Sequence, residues 1–398
     1  MSFNLMQTGT GYTFPRLVVS IVRLFTAAIF CLGGACLAHD SDEPIADAQI
    51  EGIAECDLSQ FKLQPRSDSE DLEHISNAVA QFLQSVATDQ MSRISYCLGD
   101  TEMYSWTNVP GRRPGGARLG DLSEVSQQRA WQALRSLLSQ NGYSKVELLA
   151  TDIERASGAG TVSDYTVAVF GNPVIDSAWG FQFDGHHIAL NFLVHGNDLI
   201  LAPLFLGSQP LTINGKTPLQ NEIRLGRQLF EALNAEERKL ATVQGLVRRD
   251  VVAGSGSGHI DQSKNLDYSI FYDVGIPLAD LSESQRELSN QLVQEYLFNL
   301  SKPFADRVWD WVEGNLQNGF FTFSQLRDRI YYRIYIPDTI LIEYDDVATD
   351  HIHTVTRLLD KESRSDYGPF AAVPSSNSIR VLADHYRSSP DHNSVAGN

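Results

Sequence analysis

Positive charge is scarce in this 398-residue chain: 31 lysines and arginines face 49 aspartates and glutamates, a formal net charge of −18. An acidic surface of that size repels nucleic acid and anionic lipid, so neither is expected as a partner. Familiar catalytic signatures are also missing. Gly254-Ser-Gly-Ser-Gly258 lacks the Lys-Ser/Thr and the helix start of a phosphate-binding loop and reads as a flexible loop. There is no helical His-Glu-x-x-His and no Gly-x-Ser-x-Gly nucleophile elbow. Cysteine is sparse, with four in the whole chain.

What is present begins with an export signal. Arg16 supplies a positive start, residues 17–32 an apolar core broken only by Ser20, Arg23 and Thr26, and Gly33-Gly-Ala-Cys-Leu-Ala38 the small residues before a cleavage point. That is the three-part secretory pattern, and cleavage after Ala38 is expected. Two readings compete with it. A lipoprotein would be acylated at Cys36, although Leu32 sits one position too far upstream for the usual lipid box. An uncleaved anchor is the other, since the apolar stretch approaches the ~20 residues that span a bilayer; Arg23 in its middle argues against it. The mature chain is therefore expected in the periplasm or outside the cell, with no stable membrane insertion. Loss of Arg16 and Arg23 leaves 29 basic against 49 acidic residues, and loss of Cys31 and Cys36 leaves Cys56 and Cys97. In an oxidising compartment such a lone pair is most simply a disulfide, with a thiol nucleophile or a metal ligand as the alternative. All ten histidines lie at or after His39 and survive processing.

The 360 residues that remain suit two domains better than one. Residues 39–69 are acidic and polar and read as a mobile arm. Leu72, Ile75, Val79, Phe82, Leu83 and Val86 recur at spacings of three and four, the mark of an amphipathic helix. After the turn-rich stretch 106–116, a second helix is expected over 123–140. Strand-like runs follow at 165–170, 179–194 and 199–205, the last two joined through His195-Gly-Asn-Asp198, which suits a hairpin. The pattern then restarts, with a helix over 219–242, another after Leu281-Ser282, and strands at 329–336, 339–344 and 351–357.

The restart has support at residue level. Leu119-Gly-Asp-Leu-Ser-Glu matches Leu278-Ala-Asp-Leu-Ser-Glu, Tyr165-Thr-Val-Ala-Val with Pro173 resembles Tyr332-Arg-Ile-Tyr-Ile with Pro337, and Phe181-Gln-Phe-Asp184 then His186 parallels Ile342-Glu-Tyr-Asp345 then His351. The three pairs keep one order and an offset of about 160 residues, which points to a duplication. The expected fold is α+β: two pseudo-symmetric modules, 70–212 and 213–398, each of helices packed on an antiparallel sheet, with a cleft where their histidine strands meet.

Two histidine strands carry the chemistry. In Trp179-Gly-Phe-Gln-Phe-Asp-Gly-His-His187, Phe181 and Phe183 share one face and Gln182 and Asp184 the other. In a regular strand His186 and His187 would point apart, and Gly185 allows the bulge or kink that could bring both to one site. His351 and His353 are two apart, so in a strand both face the same way. With Glu343 and Asp345 nearby, these imidazoles and carboxylates suit zinc first, with copper or iron as alternatives. The competing reading makes the histidines structural, one in the core and one at a strand edge. Arg357 lies about 13 Å along from His353 at ~3.3 Å per residue, so it would reach a substrate rather than an ion. Arg333, beside Tyr331 and Tyr332, is a second anion clamp, and either arginine could instead serve in a salt bridge. Asp366-Tyr-Gly368 and His385-Tyr386 could close over the site or be a turn and a helix end.

Trp106-Thr-Asn-Val-Pro110, Leu119-Gly-Asp-Leu-Ser123, the Trp179 to His187 motif with Leu190-Asn-Phe192, and Ile342-Glu-Tyr-Asp345 with His351-Ile-His-Thr-Val355, Arg357 and Asp366-Tyr-Gly368 resemble the bacterial family called domain of unknown function 3500. The resemblance runs from about Glu70 to Tyr386. It departs at Tyr335-Ile-Pro337, where a Gly-Pro turn is expected, and in the longer link 358–365. It implies no settled activity. The functional expectation is an exported metal-dependent hydrolase acting on an anionic small molecule. His186, His187, His351 and His353 would hold the ion, Glu343 or Asp184 would be the base for a metal-activated water, and Arg333 or Arg357 would orient the substrate. A metal-binding or redox protein of the envelope and a non-catalytic binding module are the alternatives.

Overall fold

The computed structural model describes residues 50–110, 115–247, 250–251, 273–362 and 370. The expected signal at 1–38, His39, the loop at 254–258, Asp366-Tyr367-Gly368 and His385-Tyr386 lie outside these residues.

The first half runs α1 (Glu70–Ser85), α2 (Thr88–Met91), β1 (Ser95–Tyr96), β2 (Ala117–Arg118), α3 (Glu124–Leu137), α4 (Gln140–Leu148), α5 (Glu154–Ser157), β3 (Thr166–Phe170), β4 (Ala178–Gly185), β5 (Ile188–His195) and β6 (Asp198–Ser208). The second runs α6 (Gln220–Ala232), α7 (Ala235–Ala241), β7 (Ile276–Pro277), α8 (Glu283–Leu297), α9 (Lys302–Glu313), β8 (Phe320–Leu326), β9 (Arg329–Ile336), β10 (Ile340–Ala348) and β11 (His351–Leu358). Helix starts follow their caps: the Ser123 side chain accepts from the Ser126 amide and the Ser282 side chain from the Gln285 amide. The helix expected over 219–242 is two, because Asn234 caps a new start through the Glu236 and Glu237 amides.

All these strands join one mixed sheet of eleven, ordered β1-β3-β4-β5-β6-β11-β10-β9-β8-β7, with β2 on β3. The fold is thus α+β, and the two halves share a continuous sheet rather than carrying one sheet each. The join is antiparallel, Val355 of β11 opposite Phe205 of β6. Leu119–Asp121 and Leu278–Asp280 are both 3-10 turns that lead into α3 and α8. The other two sequence parallels fall on different strands of the ladder: Phe181 to Asp184 lie on the second strand of their run, β4, but Ile342 to Asp345 on the third, β10.

Alternation divides each strand between two environments. One face is apolar and lies under the helices, where Phe82 of α1 meets Phe181, Trp131 of α3 meets Phe183, and Phe230 of α6 stacks on Phe323 at 3.8 Å. Burying each such ring contributes about 1.5–3 kcal/mol. The opposite face is also buried yet polar, with Gln182, Asp184, Asn191, His353, Arg357, Glu343, Asp345 and Arg333 all nearly inaccessible. Residues 97–110 cross that face: the Gln182 amide donates to the Met103 carbonyl and Trp106 lies 6.5 Å from Phe205, ring centre to ring centre.

Residues 50–69, expected as part of a mobile arm, are packed down. Arg66 donates to the Pro173 and Asp176 carbonyls, the Gln64 amide donates to His195 Nε2, and a Cys56–Cys97 disulfide ties the segment to the residues after β1. Among the described residues no helix is long and apolar enough to cross a membrane.

Candidate metal centre

The run expected as one strand over 179–194 is a hairpin. Gly185 pairs with Ile188, so His186 and His187 are the two-residue turn, and His187 takes a left-handed φ of 65°. That conformation costs a non-glycine residue energy and marks the place as specialised. Its backbone is held on both sides: the His187 amide donates to the Asn108 carbonyl at 3.0 Å and its carbonyl accepts from the Gly207 amide at 2.7 Å. The His187 ring is thereby turned over β6 toward β11.

There it meets the second histidine strand. His187 Nε2 lies 2.8 Å from His351 Nε2, which lies 2.9 Å from His353 Nε2. Gly207, opposite His353 in the ladder, makes the space: a Cβ there would come within 2.9 Å of the His353 ring and 3.0 Å of the His187 ring. His353 Nδ1 bonds Asp250 Oδ1 at 2.7 Å. A carboxylate can only accept, so Nδ1 carries a proton and, in the neutral ring, Nε2 offers its lone pair to the cluster. Asp250 is itself held through its amide by Asp345 Oδ2 at 2.8 Å.

One imidazole nitrogen carries either one proton or one lone pair, so His351 Nε2 cannot make two good hydrogen bonds of opposite sense. A cation at the common focus would accept all three lone pairs. Zinc–nitrogen bonds of 2.0–2.1 Å set tetrahedral nitrogens about 3.3 Å apart, close to the 2.8 and 2.9 Å that separate His351 Nε2 from the other two rings, and all three ligand atoms lie within 4.8 Å of one another. Electrostatics favour the neutral, ligating form. Burial, with the imidazoles of His186, His353 and His351, pushes His187 well below its ordinary pKa, and burial and then His353 push His351 down to about 4. Burial works to raise Asp250, but the hydrogen bond and charge of His353 prevail and hold it below the usual carboxylate value. His187, His351 and His353 could therefore hold a metal ion.

His186, expected as a fourth ligand, stacks on His187 at 3.8 Å, and its Nδ1 bonds Glu154 Oε2 at 2.8 Å. It stands outside the group of three. Glu343 and Asp184 occupy the next row of the same sheet face, on either side of Val355 and Phe205: Glu343 is opposite Val355, Val355 opposite Phe205, Phe205 opposite Ala189 and Ala189 opposite Asp184. Glu343 accepts from the Tyr331 hydroxyl at 2.5 Å. Arg333 faces Glu343 in the ladder and donates to Tyr331 Oη at 3.2 Å and Thr322 Oγ1 at 3.3 Å. Arg357 sits farther along β11, its guanidinium carbon 6.0 Å from the Trp106 ring centre. Asp250 was not foreseen, because it lies 103 residues before His353 and its own neighbourhood has no motif.

Fold and site together define an α+β protein whose central sheet has one buried polar face ending in a three-histidine cluster. Residues 68–369 match the family model described as "Protein of unknown function (DUF3500)", and the chain belongs to that family. No curated protein and no solved structure matches it.

Proposed function

We propose that this protein is an exported metal-dependent hydrolase of an anionic small molecule, with one divalent ion, zinc first, on His187, His351 and His353. The convergence of three Nε2 atoms carries the reading. Three protein ligands leave a fourth position for water, the pattern of catalytic rather than structural zinc. Asp250 behind His353 supports it, since a carboxylate on the far ring nitrogen is the usual orienting partner of a ligating histidine. Glu343 or Asp184, at opposite ends of the adjoining row, is assigned the proton of the attacking water, and Arg357 or Arg333, on the same face, the substrate's charge. The Cys56–Cys97 disulfide supports export to an oxidising compartment.

A duplication is the origin that best accounts for the sheet. Four antiparallel strands, β3 to β6, run inward from one side and four, β8 to β11, from the other. Leu138 and Leu300, just past the ends of α3 and α8, pair in an antiparallel bridge. Both joins suit a two-fold relation between halves.

Metal analysis of the exported protein, alongside a His187→Ala, His351→Ala double variant, tests the function. One zinc per chain in the wild type and none in the variant is expected. No stoichiometric metal overturns the reading, and copper or iron in zinc's place replaces hydrolysis with a redox or metal-carrying role.

A further inference from the structure

A cleft of about 490 Å³ opens between the end of α9 and the β9–β10 turn. That volume falls within the ~300–1,000 Å³ of small-molecule sites. The cleft is remote from the histidines: Ile340, next to its lining residue Thr339, pairs with Leu358, seven residues along β11 from His351. At ~3.3 Å per residue, about 23 Å of strand lies between them. Three residues on one ridge form its wall. Trp311, Asn315 and Asn318 recur at spacings of four and three along α9 and the 3-10 turn Leu316–Asn318 that follows it, and residues so spaced project from the same side. The core covers Trp311 only in part, which leaves indole surface to the cleft. Asn315 Nδ2 donates to the Trp311 carbonyl at 2.8 Å, which fixes the amide and leaves Oδ1 as its acceptor. Asn318 is exposed, and its side chain makes no hydrogen bond among the described residues. Charge in the cleft is balanced, because Lys361 has Asp198 Oδ1 at 3.3 Å and Asp338 adds a second carboxylate.

We propose that this cleft is a carbohydrate-binding site for a neutral pyranose, separate from the metal centre and resting on no part of the metal reading. One face of a pyranose is a patch of C–H bonds, which lies against the electron-rich face of an indole. Its rim carries hydroxyls, each both donor and acceptor. Side-chain amides suit neighbouring hydroxyls: Asn318 offers a donor and an acceptor, and Asn315 Oδ1 accepts. The Lys361 ammonium, 5.6 Å from the indole centre on a half-exposed and flexible stem, gives way to the stacked ring and donates beside it. A proline-rich peptide, the other ligand that seeks an indole, docks in grooves lined by aromatic rings. Here five of the eight lining side chains are polar.

Ligand-observed NMR titration of the full mature protein uses maltotriose, cellotriose and triacetylchitotriose, with trigalacturonate as an anionic sugar and decaproline as a peptide. At least one neutral trisaccharide should bind at millimolar concentration, and more tightly than trigalacturonate or decaproline. Trp311→Ala should weaken that binding at least tenfold. Because Trp311 also packs on the core, Asn318→Ala, a change at an exposed side chain without partners, is the second variant and should weaken it at least threefold. The His187→Ala, His351→Ala double variant should bind the sugar as the wild type does. No binding of any neutral trisaccharide, tighter binding of trigalacturonate or decaproline, binding unchanged in Asn318→Ala, or binding lost in the histidine variant overturns the site. Zinc uptake by the wild type is read separately, so the metal reading stands or falls on its own.

Discussion

His187 Nε2 and His351 Nε2 lie 2.8 Å apart although 164 residues separate them in the chain. The first sits on a hairpin turn and the second at the start of the strand paired to β6, so their contact reports directly on the join between the two halves of the sheet. A centre assembled across that join exists only when both halves are folded and registered. Zinc should accordingly stabilise the whole chain cooperatively, since an ion that binds only the native state raises stability by mass action. A single melting transition that rises with zinc is expected, and two transitions of which one ignores zinc would count against it.

Asp250→Asn should weaken zinc binding about 10–100-fold, the usual loss when an orienting partner is removed. The asparagine retains the shape but can present its amide nitrogen to His353 Nδ1, which no longer dictates the tautomer that frees Nε2. Competition titration against a chelating dye measures it. Unchanged affinity would mean that Asp250 serves His353 only as a structural tether.

Gly207→Ala tests the space around the rings. The added methyl would meet the His353 ring at 2.9 Å, the His187 ring at 3.0 Å and the Ile352 carbonyl at 3.1 Å. Overpacking of this kind typically costs 1–3 kcal/mol, and here the yielding atoms belong to the proposed ligands. The expected outcome is a lower melting temperature together with a loss of zinc affinity; a variant that is destabilised but binds zinc normally would show that the rings can give way without losing their focus.

Much of this was legible in the sequence, for identifiable reasons. Capped helix starts at Ser123 and Ser282 depend on neighbouring residues, as does the shared face of His351 and His353, and local pattern reveals both. The hairpin at His186-His187 was not, because its left-handed residue is a histidine rather than the glycine or asparagine that normally signals such a turn. Nor was the single sheet: β6 and β11 pair over some 150 residues, and no periodicity within either strand names its partner. That Gln182 and Asp184 share a strand face was legible, but not that this face is buried, because residues 97–110, distant in sequence, cross it.

Acid should destabilise the zinc-free protein between pH 6.5 and about 4. In the unfolded chain His351 takes a proton near 6.5, but in the fold only at about 4, and burial pushes His187 down in the same sense. The unfolded state therefore binds more protons in that window, so the contribution is fully present above pH 6.5 and is lost as the pH falls. Melting temperatures across the range, for the wild type and His351→Gln in chelator, measure it. The variant should show the shallower decline, and parallel curves would refute the assignment.

Lys145 is another place where the halves depend on each other. From α4 it reaches Glu222 of α6 at 2.7 Å and Glu295 of α8 at 2.6 Å, all three largely removed from water. Burial works to lower its pKa, but the two carboxylates more than offset this and raise it. Glu222 also moves up, because burial and the nearby Glu295 outweigh the single lysine. One cation thus serves two acids and the acidic side is under-compensated. Lys145→Met should cost about 3–5 kcal/mol, the usual result of leaving a buried charge without its partner, and adding Glu222→Gln should restore part of it by removing that charge. Denaturant unfolding of the single and double variants measures both steps. If the double variant is no more stable than the single, the loss lies in packing of the lysine stem rather than in the stranded carboxylate.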